Sequence, residues 1–282
     1  MMRQQRTDRL VWRVTGEDAL GLLEATTTQH VADLQPGQAK PACLLDENGR
    51  IQAFLRVSRD QEGAVYLDGV PAGAPGVAWV AKLAPLSRCE IREASDLMVV
   101  RGATGADGAL VEDQRFDGLE GADSIVAAND EPVEPEIDEA ERVARGWPRF
   151  GLDFTDQTLL NDTPLLELAT SFTKGCYRGQ ETVAKIRNLG HARRRMVRAH
   201  ASSPERWMAG VEVSLDGTSI GTVGSAAILD DEAYAIATVK SEHAEAVATI
   251  GGTEVRLEPI VLAEAPPPPP PPGRTLRLGM KG

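Results

Sequence analysis

The sequence predicts an α+β protein whose last part is a small antiparallel β-barrel or sandwich. Up to about residue 190, segments with the apolar pattern of strands alternate with segments of helical pattern. From Arg194 onward, short β-forming segments alternate with glycine-containing turns over about 65–70 residues. The chain has 282 residues, which is enough for one large domain or for two to three small ones.

The N-terminal part is predicted to begin with a strand and a helix. Residues 10–14 are rich in β-forming side chains, and Thr15 with Asp18 three positions later resembles a helix N-cap. A hairpin is expected next, with strands at 39–45 and 51–57 joined by a turn at Asp46–Gly49. The elements expected after it are a strand at 64–67, a helix at 76–83 and strands at 88–92 and 97–101.

The central part carries weaker signals. A solvated connection at 130–141, with seven acids, leads into a helix at about 137–145. A short apolar piece lies at 165–169, and a helix is expected at 180–189, ended by Gly190 in the left-handed conformation. Residues 266–272 are seven consecutive prolines, which predicts polyproline II in a flexible tail.

The net charge of −12 argues against general binding to nucleic acid, because phosphates would repel such a surface. The charge is uneven, however. Residues 174–198, here called the basic segment, contain a single acid, Glu181, and eight basic residues: Lys174, Arg178, Lys185, Arg187, Arg193, Arg194, Arg195 and Arg198. This pattern predicts a local anionic ligand rather than a long polyanion, unless these cations pair with the acids of 130–141.

The expected location is the cytoplasm, with no membrane partner. No apolar run reaches the roughly 20 residues of a membrane helix, and the N-terminal residues lack a signal-peptide pattern. Three cysteines, Cys43, Cys89 and Cys176, are too few and too scattered for a disulfide framework.

Cys176 lies in an unusual setting, the stretch SFTKGCYRGQE at residues 171–181. Lys174 and Arg178 are close in sequence and a helix is expected to start at Gln180, so the thiolate is favoured over the thiol. Glycines on both sides permit tight turns and close approach of a ligand to the backbone. A buried structural cysteine in a turn is the alternative.

Two other kinds of thiol chemistry are less well supported. A nucleophilic cysteine needs a histidine base, and of the four histidines His191 alone is near Cys176 in sequence. No Cys-x-x-Cys or His-x-x-x-His pattern occurs, so neither a metal site nor a stable iron–sulfur cluster within one chain is expected. A transient or intermolecular cluster through Cys176 stays open.

The segment KGCYRGQE at 174–181, here called the signature segment, resembles the K-G-C-Y-x-G-Q-E signature of the YgfZ family. These are folate-binding proteins of iron–sulfur metabolism, related to the T-protein (aminomethyltransferase) of glycine cleavage. The segments TTQHVADL at 27–34, CLLDENGR at 43–50 and GWPRFG at 146–151 resemble further family segments in the same order. The resemblance covers about residues 10–262.

The resemblance implies a T-protein-like folate-binding fold, with α/β subdomains and a C-terminal antiparallel β-barrel around a central channel. The implied folate-binding region is 1–190 and consists of two intertwined α+β subdomains. The implied barrel is 191–265, and the proline-rich tail is 266–282.

It also implies roles for the signature segment. Cys176 would be the redox or ligand-exchange thiol, held as thiolate by Lys174 and Arg178, which would also attract the glutamate tail of folate. Tyr177 would supply an apolar or aromatic surface on which folate stacks. Gln180 and Glu181 would contact the polar edges of the folate ring or cap the helix. The implied cofactor contacts are therefore Lys174, Tyr177, Arg178, Gln180 and Glu181.

The implied function is that of a tetrahydrofolate-binding accessory protein for assembly or repair of iron–sulfur enzymes, including tRNA-modifying ones. Its partners would be those enzymes or cluster carriers. The alternative is a folate-dependent one-carbon transferase of the T-protein type, whose members carry an aspartate in the strand after the first hairpin. Here residues 51–54 are IQAF, without a carboxylate, so a classical enzyme is not expected. A third possibility is a binding module with a structural Cys176 and the tail as an SH3-like ligand.

Overall fold

The computed structural model describes residues 4–5, 9–102, 110–113, 122–128, 134–135 and 139–262. The described helices are α1 (Ala19–Thr26), α2 (Ala74–Leu83), α3 (Glu139–Ala144), α4 (Leu165–Leu168) and α5 (Gln180–Leu189). The described strands are β1 (Gln4–Gln5), β2 (Leu10–Gly16), β3 (Ala39–Leu45), β4 (Ile51–Arg59), β5 (Val65–Gly69), β6 (Cys89–Glu93), β7 (Leu97–Gly102), β8 (Val111–Asp113), β9 (Ala122–Ala127), β10 (Glu134–Pro135), β11 (Arg194–Ala201), β12 (Glu212–Leu215), β13 (Thr218–Leu229), β14 (Glu232–Lys240), β15 (Val247–Ile250) and β16 (Thr253–Pro259). The α+β class is confirmed.

The first sheet has the order β3-β4-β5-β2-β6 and is antiparallel throughout. Helices α1 and α2 pack against it, and their shared core includes Leu23, Leu55, Leu67 and Val80, all fully buried. Apolar residues on both elements lose their contact with water in this layer, which is the main stabilising effect. The hairpin predicted from the turn at Asp46–Gly49 is present as β3 and β4.

The predicted start of α1 is wrong. Strand β2 continues to Gly16, because its backbone pairs with β6 as far as Gly16 opposite Cys89. The helix begins at Ala19, and Asp18 occupies the N-cap position without a capping side-chain hydrogen bond. A tertiary pairing therefore overrides the local capping pattern at Thr15.

The second sheet has the order β10-β1-β7-β9-β8. The sequence pattern did not predict β8 and β9, which are short and rich in small or polar residues. The buried Arg56 of the first sheet donates to the backbone oxygen of Asp123 in β9 at 3.0 Å, and so ties the two sheets together. Most of the acidic stretch at 130–141 lies outside the described residues.

The C-terminal part is a closed barrel of six antiparallel strands in the order β11-β14-β13-β12-β15-β16. This confirms a barrel over a sandwich. Its interior is built from small and medium apolar residues such as Val197, Val213, Ala235 and Leu257. Small side chains suit the narrow interior of a six-stranded barrel. The barrel strands run from Arg194 to Pro259.

Helix α5 has the predicted bounds, but its glycines have different roles from those expected. Gly190 is extended, with φ −144°, and is not a left-handed C-terminal glycine. The left-handed residue is Gly179, at the start of the helix, with φ +81°. None of the helices in the described ranges is long and apolar enough to cross a membrane. The proline tail lies outside those ranges.

Candidate functional site

The signature segment lies against the turn of the β3–β4 hairpin. A Cβ atom on Gly179 would come within 2.4 Å of the backbone oxygen of Asp46, and the residue has a positive φ of 81°. A Cβ on Gly49, which also has a positive φ, would lie 3.3 Å from the Thr182 side chain of α5. Glycine at 179 is therefore required both by backbone conformation and by close packing.

Lys174 anchors the start of the signature segment. Its Nζ donates to three backbone oxygens, those of Glu24 (2.5 Å), Thr27 (2.7 Å) and Gln29 (2.9 Å), at the end of α1. The side chain is fully buried. A lysine ammonium has three donors, and all three are engaged here. The predicted use of Lys174 to bind the glutamate tail of folate is thus contradicted, because no donor is left for a ligand.

Glu24 supplies the counter-charge for Lys174. Its Oε1 lies 3.6 Å from Lys174 Nζ and 3.0 Å from His30 Nδ1, and its Oε2 accepts from the backbone N–H of Val31 and Ala32. Partial burial raises the pKa of Glu24, but these hydrogen bonds outweigh it and lower the pKa to about 2. Burial lowers the pKa of Lys174 and Glu24 opposes that shift. Sequence proximity did not indicate Glu24 or His30 as neighbours of the segment.

Arg178 is also engaged. Its guanidinium pairs with the carboxylate of Glu47 on the hairpin turn and lies 4.2 Å from the ring centroid of Trp79 on α2. Such a contact combines stacking with a cation–π attraction. Arg178 thus connects three elements, and its charge is largely satisfied within the fold, although about a third of the side chain stays exposed.

Tyr177 belongs to the core and does not form an open wall. It is 8% exposed and packs in a cluster with Cys43, Phe54 and Val183. Burial raises the pKa of its hydroxyl to about 12, with a further contribution from Cys43. The Lys174 ammonium lies 5.5 Å from its ring centroid. A flat ligand therefore cannot stack on this ring in the present conformation.

Cys176 is exposed, whereas Cys43 and Cys89 are buried. A Cβ on the preceding residue, Gly175, would meet none of the described residues within 4 Å, so the fold does not crowd the chain just before Cys176. Burial strongly raises the pKa of the Cys43 thiol, which makes it unreactive. The three cysteines thus fall into one accessible and two enclosed thiols.

Gln180 and Glu181 form the first turn of α5. Glu181 is exposed and Gln180 is half-buried. Neither side chain has a hydrogen bond or ion pair within the part of the chain that the structure describes. Among the five predicted folate contacts, these two are the ones that stay available; Lys174, Tyr177 and Arg178 are committed to the fold. Folate contact by this set of residues stays a prediction, and Gln180 and Glu181 are the two members whose side chains are available for it.

Among the described residues, the ion pairs of the basic segment do not involve the acids of 130–141, which were the alternative to an anionic ligand. Its ion pairs join Lys174 to Glu24, Arg178 to Glu47, Arg187 to Glu167 and Arg198 to Glu258. The described acids at the end of 130–141 pair elsewhere: Glu139 with Arg142 and Arg149, and Glu141 with Arg145. Half of the basic segment is neutralised, but by acids from other regions of the fold.

Strand β4 carries no carboxylate, and the nearest one in the sheet is not free. Asp68 on β5 is fully buried and accepts from Arg56 Nε at 2.7 Å and from Arg9. Gln52, at the start of β4, donates to the backbone oxygen of Asp156 at 3.4 Å. Over the described residues, no group of three or more His, Cys, Asp or Glu side chains is arranged to hold a metal ion.

Comparisons with known proteins agree with this architecture. No family model matches the chain. The tRNA-modifying protein YgfZ of Escherichia coli O157:H7 is 24% identical over 271 residues, covering 82% of this chain and 83% of that protein. An uncharacterised protein of Haemophilus influenzae is 26% identical over 230 residues, covering 77% and 81%.

The fold is shared with a solved structure. The glycine cleavage system aminomethyltransferase T from Bartonella henselae superimposes with a TM-score of 0.76 at 17% identity, over 92% of this chain and 85% of that one. The chain is therefore similar in sequence to proteins named YgfZ over most of its length, and it has the fold of the glycine-cleavage aminomethyltransferase.

Proposed function

We propose that the protein is a tetrahydrofolate-binding accessory factor for the assembly or repair of iron–sulfur enzymes, including tRNA-modifying ones, and that Cys176 is its working thiol. The likeness to proteins named for tRNA modification and the aminomethyltransferase fold support this class of function. The folate and iron–sulfur parts come from the resemblance of the signature segment.

The observation that carries the proposal is the placement of Cys176. It is exposed, yet the residues around it are fixed: the Lys174 side chain is fully buried, Tyr177 is 8% exposed, and Gly179 packs against the hairpin. Free cysteines are among the most buried residue types in proteins. A cysteine held outward by anchored neighbours is typical of a reactive group rather than of a packing group.

The roles within the signature segment follow from these contacts. Lys174, Tyr177 and Arg178 position the loop. Gln180 and Glu181 are the residues proposed to meet the folate, because an amide and a carboxylate match ring edges that carry both N–H donors and acceptors. Cys176 acts on the client protein or its cluster.

Aminomethyl transfer of the T-protein type is not supported. That reaction needs an acid at the folate nitrogen, and β4 has none, while the charge of Asp68 is balanced by Arg9 and Arg56. In a reconstituted glycine-cleavage assay, the protein is expected to give no turnover in place of T-protein. Turnover comparable to T-protein would overturn this choice.

The thiol is tested by Cys176→Ser, with Cys89→Ala as a matched control. In cells lacking the protein, the Ser variant is expected to leave an iron–sulfur tRNA-modifying enzyme inactive, while the Ala control restores its activity. Both variants should be folded, and Cys176→Ser should bind tetrahydrofolate as the unaltered protein does, which separates the thiol from the ligand. Full restoration by Cys176→Ser, or its unfolding, would show that the thiol is not the working group.

Alkylation gives an independent measurement on the native protein. Iodoacetamide is expected to modify Cys176 quickly, because its thiol is accessible, and Cys43 and Cys89 slowly, because both are buried. Peptide mapping against time resolves the three sites. Equal rates at all three would contradict the structural difference between them.

A further inference from the structure

A cleft of about 750 Å³ opens at the C-terminal end of α5, where the chain enters the barrel. It is lined by His191, Ala192, Arg193, Arg195, Lys240, Ser241 and Glu242. Its walls come from the start of β11 and the end of β14, which are neighbours in the barrel. A volume of this size matches that of small-molecule sites, about 300–1,000 Å³.

Three basic side chains line this cleft, Arg193, Arg195 and Lys240. Arg193, Arg195 and Lys240 are exposed and have no ion pair with any acid among the described residues. The acid in the lining, Glu242, lies 3.4 Å from His243 Nε2. A cluster of free positive charge is unexpected on a chain with net charge −12.

One pair of cations beside the cleft lowers the stability of the barrel. Arg194 lies directly opposite Lys240 in the β11–β14 ladder, and like charges in that relation destabilise a sheet. The backbone N–H of Ser241 donates to the oxygen of Arg193 at 3.0 Å, which holds the two strand ends together. Arg194 is not in the cleft lining, and its pairing places a further positive charge opposite the lining residue Lys240.

We propose that this cleft binds a compact small molecule with clustered phosphate groups. Two guanidinium groups offer planar pairs of donors that match phosphate oxygens, and Lys240 adds a third charge. Ser241 Oγ is buried without a hydrogen-bond partner and can donate to a ligand oxygen. The lining contains three cations but no Phe, Tyr or Trp ring, and His191 is its one aromatic side chain, so the charged part of the ligand is the part that the cleft is best built to bind. The proposal is independent of the function proposed for the signature segment.

The test uses inorganic tripolyphosphate as the probe, titrated into the full chain by calorimetry at low and high salt. Arg193→Gln, Arg195→Gln and Lys240→Gln are each expected to weaken binding about tenfold, the usual loss for a charge-assisted hydrogen bond. Arg256→Gln and Lys82→Gln, which remove exposed cations outside the cleft, should leave the affinity nearly unchanged. Raised salt should weaken binding to the unaltered protein.

Three results would overturn the proposal. One is the absence of binding at low salt. Another is an equal loss of tripolyphosphate affinity in the cleft variants and the control variants, which would show that binding depends on the overall charge of the protein and not on the cleft. The third is tighter binding of a short single-stranded RNA or of a γ-linked glutamate oligomer than of tripolyphosphate, lost in the same cleft variants, which would assign the cleft to that class of ligand instead.

Discussion

The two ends of α5 carry basic residues in opposite circumstances. At its N-terminal end, Lys174 is fully buried and bonded to three carbonyl groups, and Arg178 pairs with Glu47. At its C-terminal end, Arg193 and Arg195 are exposed and have no acidic partner among the described residues. All four belong to one basic segment of the sequence.

The difference shows that a run of charge in a sequence can serve two purposes. At the signature segment, the positive charges of Lys174 and Arg178 fix a loop, and the exposed group that this loop presents is the side chain of Cys176. At the cleft, the positive charge is itself what is presented. The N-terminal end should therefore respond to substitution mainly in stability, and the C-terminal end mainly in ligand binding.

The largest stability effect is expected from Lys174→Met. The variant leaves the backbone oxygens of Glu24, Thr27 and Gln29 without their donor. It also leaves the Glu24 carboxylate without its counter-charge, so the free energy of unfolding is expected to fall by about 3–5 kcal/mol. Denaturant unfolding measures the loss.

Lys185→Met is the matched control, because Lys185 lies on α5 without an ion-pair partner in the described ranges. Its unfolding midpoint should stay close to that of the unaltered protein. If the two variants lose similar stability, the contrast between a buried and a free lysine in this segment is wrong.

Gly179→Ala is expected to cost about 2–3 kcal/mol, because alanine must adopt a left-handed conformation and its Cβ meets the oxygen of Asp46 at 2.4 Å. Gly175→Ala is a matched control in the same segment: its Cβ would meet none of the described residues within 4 Å, and its φ is not positive. Thermal unfolding of the pair should show a shift for Gly179→Ala alone. A comparable shift for both would mean that the hairpin contact does not fix the loop.

Glu24, the counter-ion of Lys174, is expected to make the stability of the fold depend on pH. Because the folded-state pKa of Glu24, about 2, is below its ordinary value of 4.5, the carboxylate stabilises the fold fully above pH 4.5 and loses this effect as the pH falls towards 2. Glu24→Gln should therefore cost about 1–2 kcal/mol at neutral pH, after allowance for solvent screening. The difference from the unaltered protein should shrink between pH 4.5 and pH 2 in urea unfolding. A constant difference across that range would contradict the pairing.

Local pattern was enough for much of the fold. The hairpin and α5 were predicted within two residues, because turn glycines and apolar periodicity are local signals. The start of α1 was not, since β2 is extended to Gly16 by a strand that lies over 70 residues away in sequence. Strands β8 and β9 lack a strong pattern: β9 is stabilised by pairing with β7 and by contacts of Asp123 with Arg101 and Arg56, and β8 pairs with β9.

The candidate site was predictable in position but not in its chemistry. The resemblance located the signature segment, and Cys176 is exposed, which argues against the alternative of a buried structural cysteine. The partners of Lys174 and Arg178, however, lie 131 to 150 residues away along the chain. Proximity of Lys174 to Cys176 in sequence suggested a shared task, whereas the fold directs the ammonium to the carbonyl groups at the end of α1. No local signal specifies such a pairing.

The smallest expected effect is a gain in stability rather than a loss. At the free end of α5, removing a cation should stabilise the protein, because Lys240 faces Arg194 across the β11–β14 ladder without an intervening acid. Lys240→Gln is expected to raise the melting temperature by about 1 °C at low salt, and Lys240→Glu by somewhat more, because an opposite charge then faces Arg194. Both gains should fade at high salt, where exposed charges are screened within a few ångströms. Lys82→Gln, on α2, has no like charge placed opposite it in a ladder and should change little. A melting temperature lowered by Lys240→Gln would mean that this lysine contributes to the fold as Lys174 does, and the contrast between the two ends of α5 would be lost.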